Sequence, residues 1–146
     1  MTYSSPYGVR RKSVQAYSDV GLETEVLSAS PERLITLLFD GALSAIAKAR
    51  LHLQSGNIPE RGKALSKAID IVDSGLKAAV NREEGGEVAA ALVATYELTI
   101  FHLMQANLNA DEQSLTQAEN ILREVGSAWR EACDTPKERT PFQVSS

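Results

Sequence analysis

Apolar residues recur at intervals of three and four along most of the central chain, and each run is bounded by residues that start or stop helices. Ser30-Pro31 opens the first: Ser30 can cap orphan amides, Pro31 suits the first helical position, and Glu32 favours the positive helix end. Leu34, Leu37, Leu38, Gly41, Ala42, Ala45, Ala49 and Leu53 then form one stripe, which Gly56 and Asn57 end. Asn57 with Glu60 reads as a capping box for a second helix, with Pro59 tolerated in its first turn. Its stripe, Leu65, Ala68, Ile69, Val72, Leu76 and Ala79, predicts helix to about Val80. The run Asn81–Gly86 breaks it. A third helix carries Ala89, Leu92, Tyr96, Ile100, Leu103 and Met104 on one side. Asn109 with Glu112 reads as a further capping box, opening a fourth helix with Leu115, Ala118, Ile121, Leu122, Val125, Ala128 and Trp129. Four long helices with short connections predict an all-α, antiparallel four-helix bundle around one core, preceded by a short additional N-terminal helix.

A second apolar face accompanies the core stripes. The first helix also shows Ile35, Phe39, Leu43 and Ile46 at helical spacing, the third shows Ala94, Leu98, Phe101 and Leu108, and the second has Ile71 and Ala78 off its best face. One wide stripe is enough for a helix in an isolated bundle. Helices apolar on two sides either lie centrally in a larger packing or expose a groove for a partner, and a partner helix laid into such a groove suits the spacing. A wide core stripe buried by helix crossing is the plainer account of the same residues.

Outside the bundle, residues 1–12 are predicted to be a flexible tail. Residues 13–18, with Val14 and Tyr17 three apart, make a short segment ordered only where it finds an apolar surface, such as an unoccupied groove. Residues 13–133 are expected to be a single helical domain, and residues 134–146, with two prolines among polar groups, a disordered tail.

The 146-residue chain is 43% apolar and 23% charged, ordinary for one globular domain, while aromatics at 5% leave the core to Leu, Ile, Val and Ala. Net charge of −4 argues against nucleic acid as a partner; Arg10, Arg11 and Lys12 are the one compact basic cluster and read as a solvated tail. No uninterrupted apolar stretch approaches the roughly 18 residues of a membrane span, and the N-terminus lacks the apolar run of a signal peptide, so a cytoplasmic location without stable membrane insertion is expected. The single cysteine, Cys133, excludes an internal disulfide and fits a reducing compartment.

Candidate chemistry is sparse. His52 and His102 belong to no metal-binding helix motif, so neither a metal nor another cofactor is expected. Glu83 and Glu84 beside Gly85-Gly86 read as a connection rather than an acid–base pair, and the glycines lack the spacing of a phosphate loop. Cys133 has no histidine near it in sequence to activate it. These absences predict a protein that is not an enzyme.

Several segments taken together resemble the flagellar secretion chaperone FliS family. They are Val14–Tyr17, Ser28–Ile35, Leu38–Ala42, Leu65–Ile71, Leu103–Leu108 with Asp111, and Ala128–Arg130. The likeness spans about residues 13–131. It implies a helical bundle that binds the carboxy-terminal segment of flagellin in the cytosol, prevents premature polymerisation, and assists delivery to the flagellar type III export apparatus. It also implies an N-terminal cap, matched here by Val14 and Tyr17. Ile35, Phe39, Leu43 and Ile71 are the expected lining of the client groove, since they match the family's apolar helices and lie off the best core stripes. Asp40 is expected to make a structural hydrogen bond. A homodimer burying the second face, a structural homo-oligomer or a general protein-interaction module are the alternatives.

Overall fold

The computed structural model describes residues 29–134, so the expectations for residues 1–28, including Val14 and Tyr17, and for the tail beyond residue 134 lie outside it. Among the described residues four helices pack as an all-α bundle: α1 (Pro31–Ser55), α2 (Ile58–Asp70), α3 (Arg82–Asn109) and α4 (Glu112–Asp134).

Local chemistry sets the helix ends. Ser30 Oγ accepts from the Arg33 amide at 3.1 Å, and α1 stops where Gly56 takes a left-handed φ of 75°. Asn57 Oδ1 accepts from the Glu60 amide at 3.3 Å to open α2. The fourth helix starts differently from the Asn109 expectation. Ala110 turns left-handed (φ 51°) and ends α3, while Asn109 donates to Gln105 at 2.7 Å. Asp111 then caps α4, its two carboxylate oxygens accepting from the Gln113 amide at 3.0 Å and the Ser114 hydroxyl at 2.9 Å. An acceptor is needed next to the orphan amides, and the reversal at Ala110 leaves Asp111, not Asn109, in that place.

Two irregularities interrupt the expected helices. Beyond Asp70 the second helix widens into a π-helical turn, Ile71–Leu76, and tightens into a 3-10 turn, Lys77–Ala79. The Lys77 amide reaches back five residues to the Val72 carbonyl. Such a turn takes up one extra residue and rotates the next stretch of helix about its axis. Ile71, Val72, Gly75 and Leu76 are all buried. In α3, Asn81 Oδ1 accepts from the Glu84 amide at 3.2 Å and caps a single turn. Gly86 then departs from helical geometry (φ 57°, ψ −129°), so the break falls at one residue and the regular helix begins at Glu87.

The core explains why α1 is apolar on two sides. α1 packs against α2 and the π-helical turn on one flank and against α4 on the other. Leu38 contacts the turn, close enough that a Cβ on Gly75 would meet its Cδ2 at 2.8 Å. Phe39 lies against Gly126 of α4 and 6.4 Å from the ring of Tyr96 on α3. Leu34, Leu37, Leu38, Ala42, Ala45 and Ala49 are buried, and so are Ile35, Phe39 and Ile46. The surplus face of α1 is therefore the second half of its core contact.

Polar clasps fix the helices' relative order. Trp129 Nε1 donates to Thr36 Oγ1 at 3.2 Å, and Arg130 donates to Asp40, which thus makes a structural bond. Farther along, Arg50 reaches Glu119 at 2.6 Å, Glu112 at 3.0 Å and Thr116 at 3.1 Å. These pairings advance along α1 while they retreat along α4. Arg61, buried near the start of α2, donates to the Asn107 carbonyl at 3.0 Å and to its Oδ1 at 3.2 Å near the end of α3. Lys77 meets Glu97 at 3.5 Å, so this pair also runs in opposite order.

Candidate functional site

The sequence of α3 beyond Gly86 is predominantly apolar, and two different faces account for it. Ala89, Tyr96, Thr99, Leu103 and Ala106 point inward and are buried. Thr99 satisfies its hydroxyl by donating to the Thr95 carbonyl at 2.9 Å, so a polar atom enters the core without an unmet hydrogen bond. At 100° per residue, Ala90, Ala91, Ala94, Leu98, Phe101 and Leu108 fall on the opposite side, with Met104 at its edge. They remain in water: Leu98 is 48% exposed, Phe101 52%, Met104 56% and Leu108 79%. The stripe runs for roughly 27 Å. Such an extended ridge of large apolar side chains marks a surface made to be covered.

Its borders are polar and unevenly charged. Glu83, Glu84 and Glu87 stand exposed at the amino-terminal end of α3. Midway, Glu97 pairs with Lys77, whose ammonium also meets Asp73 at 3.0 Å. The hydrogen bond to Asp73 foremost, together with the nearby carboxylates, raises the lysine above its ordinary value and keeps it charged. From Leu98 to Asn109 the helix carries no acidic or basic residue apart from His102, whose ring packs edge-on to Phe101 with centroids 5.7 Å apart.

The residues expected to line a client groove occupy other places. Ile35 is 8% exposed, Phe39 1% and Ile71 0%. The expectation that they lie outside the core packing is corrected: α1 is flanked on both sides, and Ile71, where the π-helical turn begins, is buried in the core. Leu43 is half-buried at the edge of the core. The four do not form an exposed strip. Of the surplus residues read from the third helix, Ala94, Leu98, Phe101 and Leu108 are on the surface. Met104, assigned to the core stripe, joins them there, and Val88 was missed. The available signal was the excess of apolar residues around the whole circumference of α3.

Little in the bundle is arranged for bond-making chemistry. Among the described residues no group of three His, Cys, Asp or Glu side chains is placed to hold a metal ion. Partial desolvation, then the carboxylates of Glu32 and Asp134, push the Cys133 thiol up and keep it protonated. Burial pushes the Tyr96 phenol well above its usual range, so it stays neutral in the core. By length and composition α3 is apolar enough to cross a membrane, with a mean hydropathy of 1.3 over its best 18 residues. In the structure it packs against both α2 and α4.

A helical bundle with an uncovered apolar helix face belongs with proteins that hold other chains, and sequence comparison specifies the kind. A profile of the family described as flagellar protein FliS matches residues 13–136, and the chain belongs to that family. It is 47% identical over 118 residues to the flagellar secretion chaperone FliS of Salmonella typhimurium, covering 81% of this chain and 87% of the relative. Its identity to the Escherichia coli chaperone of that name is 39% over 125 residues, covering 86% and 92% of the two. With the Vibrio cholerae protein it is 36% over 119 residues, covering 82% and 87%. The chain is thus a member of a flagellar chaperone family and not an enzyme.

Proposed function

We propose that this chain is a cytoplasmic export chaperone that binds the carboxy-terminal segment of flagellin, keeps it from polymerising prematurely, and assists its delivery to the flagellar type III export apparatus. The exposed stripe of α3 is the observation that carries this reading. An otherwise unfolded client segment can lay apolar residues along it at helical spacing, and the ordering entropy it loses is met by the area both partners remove from water. Leu98, Phe101, Met104 and Leu108 together offer roughly 4–6 kcal/mol of burial before that cost. Captured this way, the client's own association surface is covered, and release needs only competition at the export apparatus. The bundle is read as antiparallel with a short N-terminal helix, and Val14 and Tyr17 as the cap that shields an apolar surface until the client arrives. Direct contact of the client with Ile35, Phe39 or Ile71 would require the core to open, which favours α3 as the first docking surface.

Phe101→Asp tests the reading. It removes about 1 kcal/mol of apolar contact and sets a carboxylate against an apolar client, so calorimetry should find flagellin binding weakened at least tenfold. Circular dichroism should show the helicity kept, because the ring lies outside the core. Unchanged affinity would remove α3 as the client surface. A stable oligomer that refuses flagellin, seen by light scattering, would favour a homodimer or structural oligomer instead.

A further inference from the structure

The apolar stripe of α3 ends beside a buried cation. Arg61, near the start of α2, is 8% exposed and has no carboxylate within ion-pair distance among the described residues. A guanidinium taken out of water is costly unless its charge is met. The end of α3 meets part of it. There the Asp111 amide turns back to the Ala106 carbonyl, and Arg61 Nη2 donates to the Asn107 carbonyl at 3.0 Å while Nε donates to Asn107 Oδ1 at 3.2 Å. Both acceptors are neutral. Nη1 donates to none of the described residues, and every fully buried side-chain nitrogen among them has a partner, so Nη1 opens to the surface.

The carboxylates close in sequence to this pair are engaged elsewhere. Glu60 meets Lys63 at 3.4 Å, Glu112 meets Arg50 at 3.0 Å, and Asp111 caps α4 through Gln113 and Ser114. The exposed neighbours along the two helices are apolar instead. Ile58, one turn before Arg61 on α2, is 62% exposed, and Met104 and Leu108 stand exposed on either side of Asn107 along α3. One edge of an unmatched cation is thus set in an oily border, at the end of the ridge.

A helical segment laid along α3 with its carboxy end at Leu108 brings to this border the end that needs donors. Its last carbonyls lack intrahelical partners and carry the negative end of its dipole. If the segment also ends its chain, it adds a free carboxylate, which a guanidinium receives in charge-assisted hydrogen bonds. The net charge of −4 would otherwise repel such a group. We propose that Arg61 is a specificity-determining residue, whose Nη1 edge receives the terminal carboxylate of the flagellin segment and so fixes the direction in which the client lies on α3. This deepens the client reading above and rests on it.

Calorimetry on the full chain, with a flagellin carboxy-terminal peptide prepared as the free acid and as the carboxy-terminal amide, tests the contact. The amide should bind about tenfold more weakly, because it offers Arg61 no charge. Removing Arg61 would itself loosen the seam between α2 and α3, so the substitution is made at its neighbour. Asn107→Asp keeps an acceptor for Nε and gives the guanidinium a counter-charge within the bundle. In that chain the free acid should bind no better than the amide, within about twofold, while affinity for the amide stays at the wild-type value. Equal binding of the two peptides by the wild-type chain, which a client side-chain carboxylate at Arg61 would also give, overturns the proposal and leaves the client reading standing. A preference for the free acid that survives Asn107→Asp overturns it too, since the carboxylate is then held elsewhere. Failure of both peptides to bind removes the client reading as well.

Discussion

Phe39 and Gly126 form a steric pair whose coupling can be worked out from the structure. The Phe39 ring is 1% exposed, and a Cβ on Gly126 would meet its Cδ1 at 3.2 Å and its Cγ at 3.3 Å. Gly126→Ala gains about 1 kcal/mol from helix propensity but crowds a ring with nowhere to go, at a cost of roughly 1–3 kcal/mol. The single variant should therefore be neutral to about 2 kcal/mol destabilised. Phe39→Ala removes the crowding Cγ and Cδ1, loses contact with Tyr96, and should cost about 3–5 kcal/mol. In that background Gly126→Ala meets a smaller neighbour and its propensity gain becomes visible. The two changes should then be coupled by at least 1 kcal/mol, the double variant being more stable than the sum of the singles. Urea unfolding of all four proteins, followed by circular dichroism, measures the coupling. Additive effects within about 0.3 kcal/mol would show that Phe39 does not press on α4, and would undo the reading of α1 as a helix buried on both flanks.

Two further predictions concern polar devices. Arg50→Ala should destabilise the bundle by about 1–2 kcal/mol, read from denaturant midpoints, because it frees Glu119 and Thr116, both half-buried; the loss should shrink at high salt. Asp111 holds its carboxyl below the ordinary value of 3.8, through the Ser114 hydroxyl first and then the Gln113 and Ser114 amides. Its contribution is present above about pH 4 and is lost as the pH falls through the lowered value. Asp111→Asn, which keeps one capping oxygen but no charge, should therefore flatten the acid limb of thermal stability and lower the stability modestly at pH 7.

Periodicity made most of the bundle legible. The stripes of α1, α2 and α4 and the caps at Ser30 and Asn57 follow from spacing and local hydrogen-bond chemistry, and the structure places them accordingly. The start of α4 was misplaced because Asn109 and Asp111 are both good caps, and only the backbone reversal at Ala110 decides between them. Nothing in the letters Ile71–Leu76 announces the π-helical turn, nor the close approach of Leu38 to Gly75 across two helices. The surplus of apolar residues was visible, but not its allocation. Two-sided apolarity on α1 reflects two helix neighbours, whereas on α3 it reflects a neighbour on one side and water on the other. A single-helix pattern cannot distinguish these cases, because the partner lies elsewhere in the chain. The sparse catalytic inventory needed no such tertiary information.

The one tryptophan, Trp129, sits where α4 closes on α1, with its indole nitrogen tied to Thr36. Its emission colour should follow the closing of that seam, while the oily ridge of α3 bears no indole. Unfolding curves can therefore be read from this single indole on an unlabelled sample. Evolution has left the molecule with a built-in optical gauge of its own integrity, set in the seam between α1 and α4.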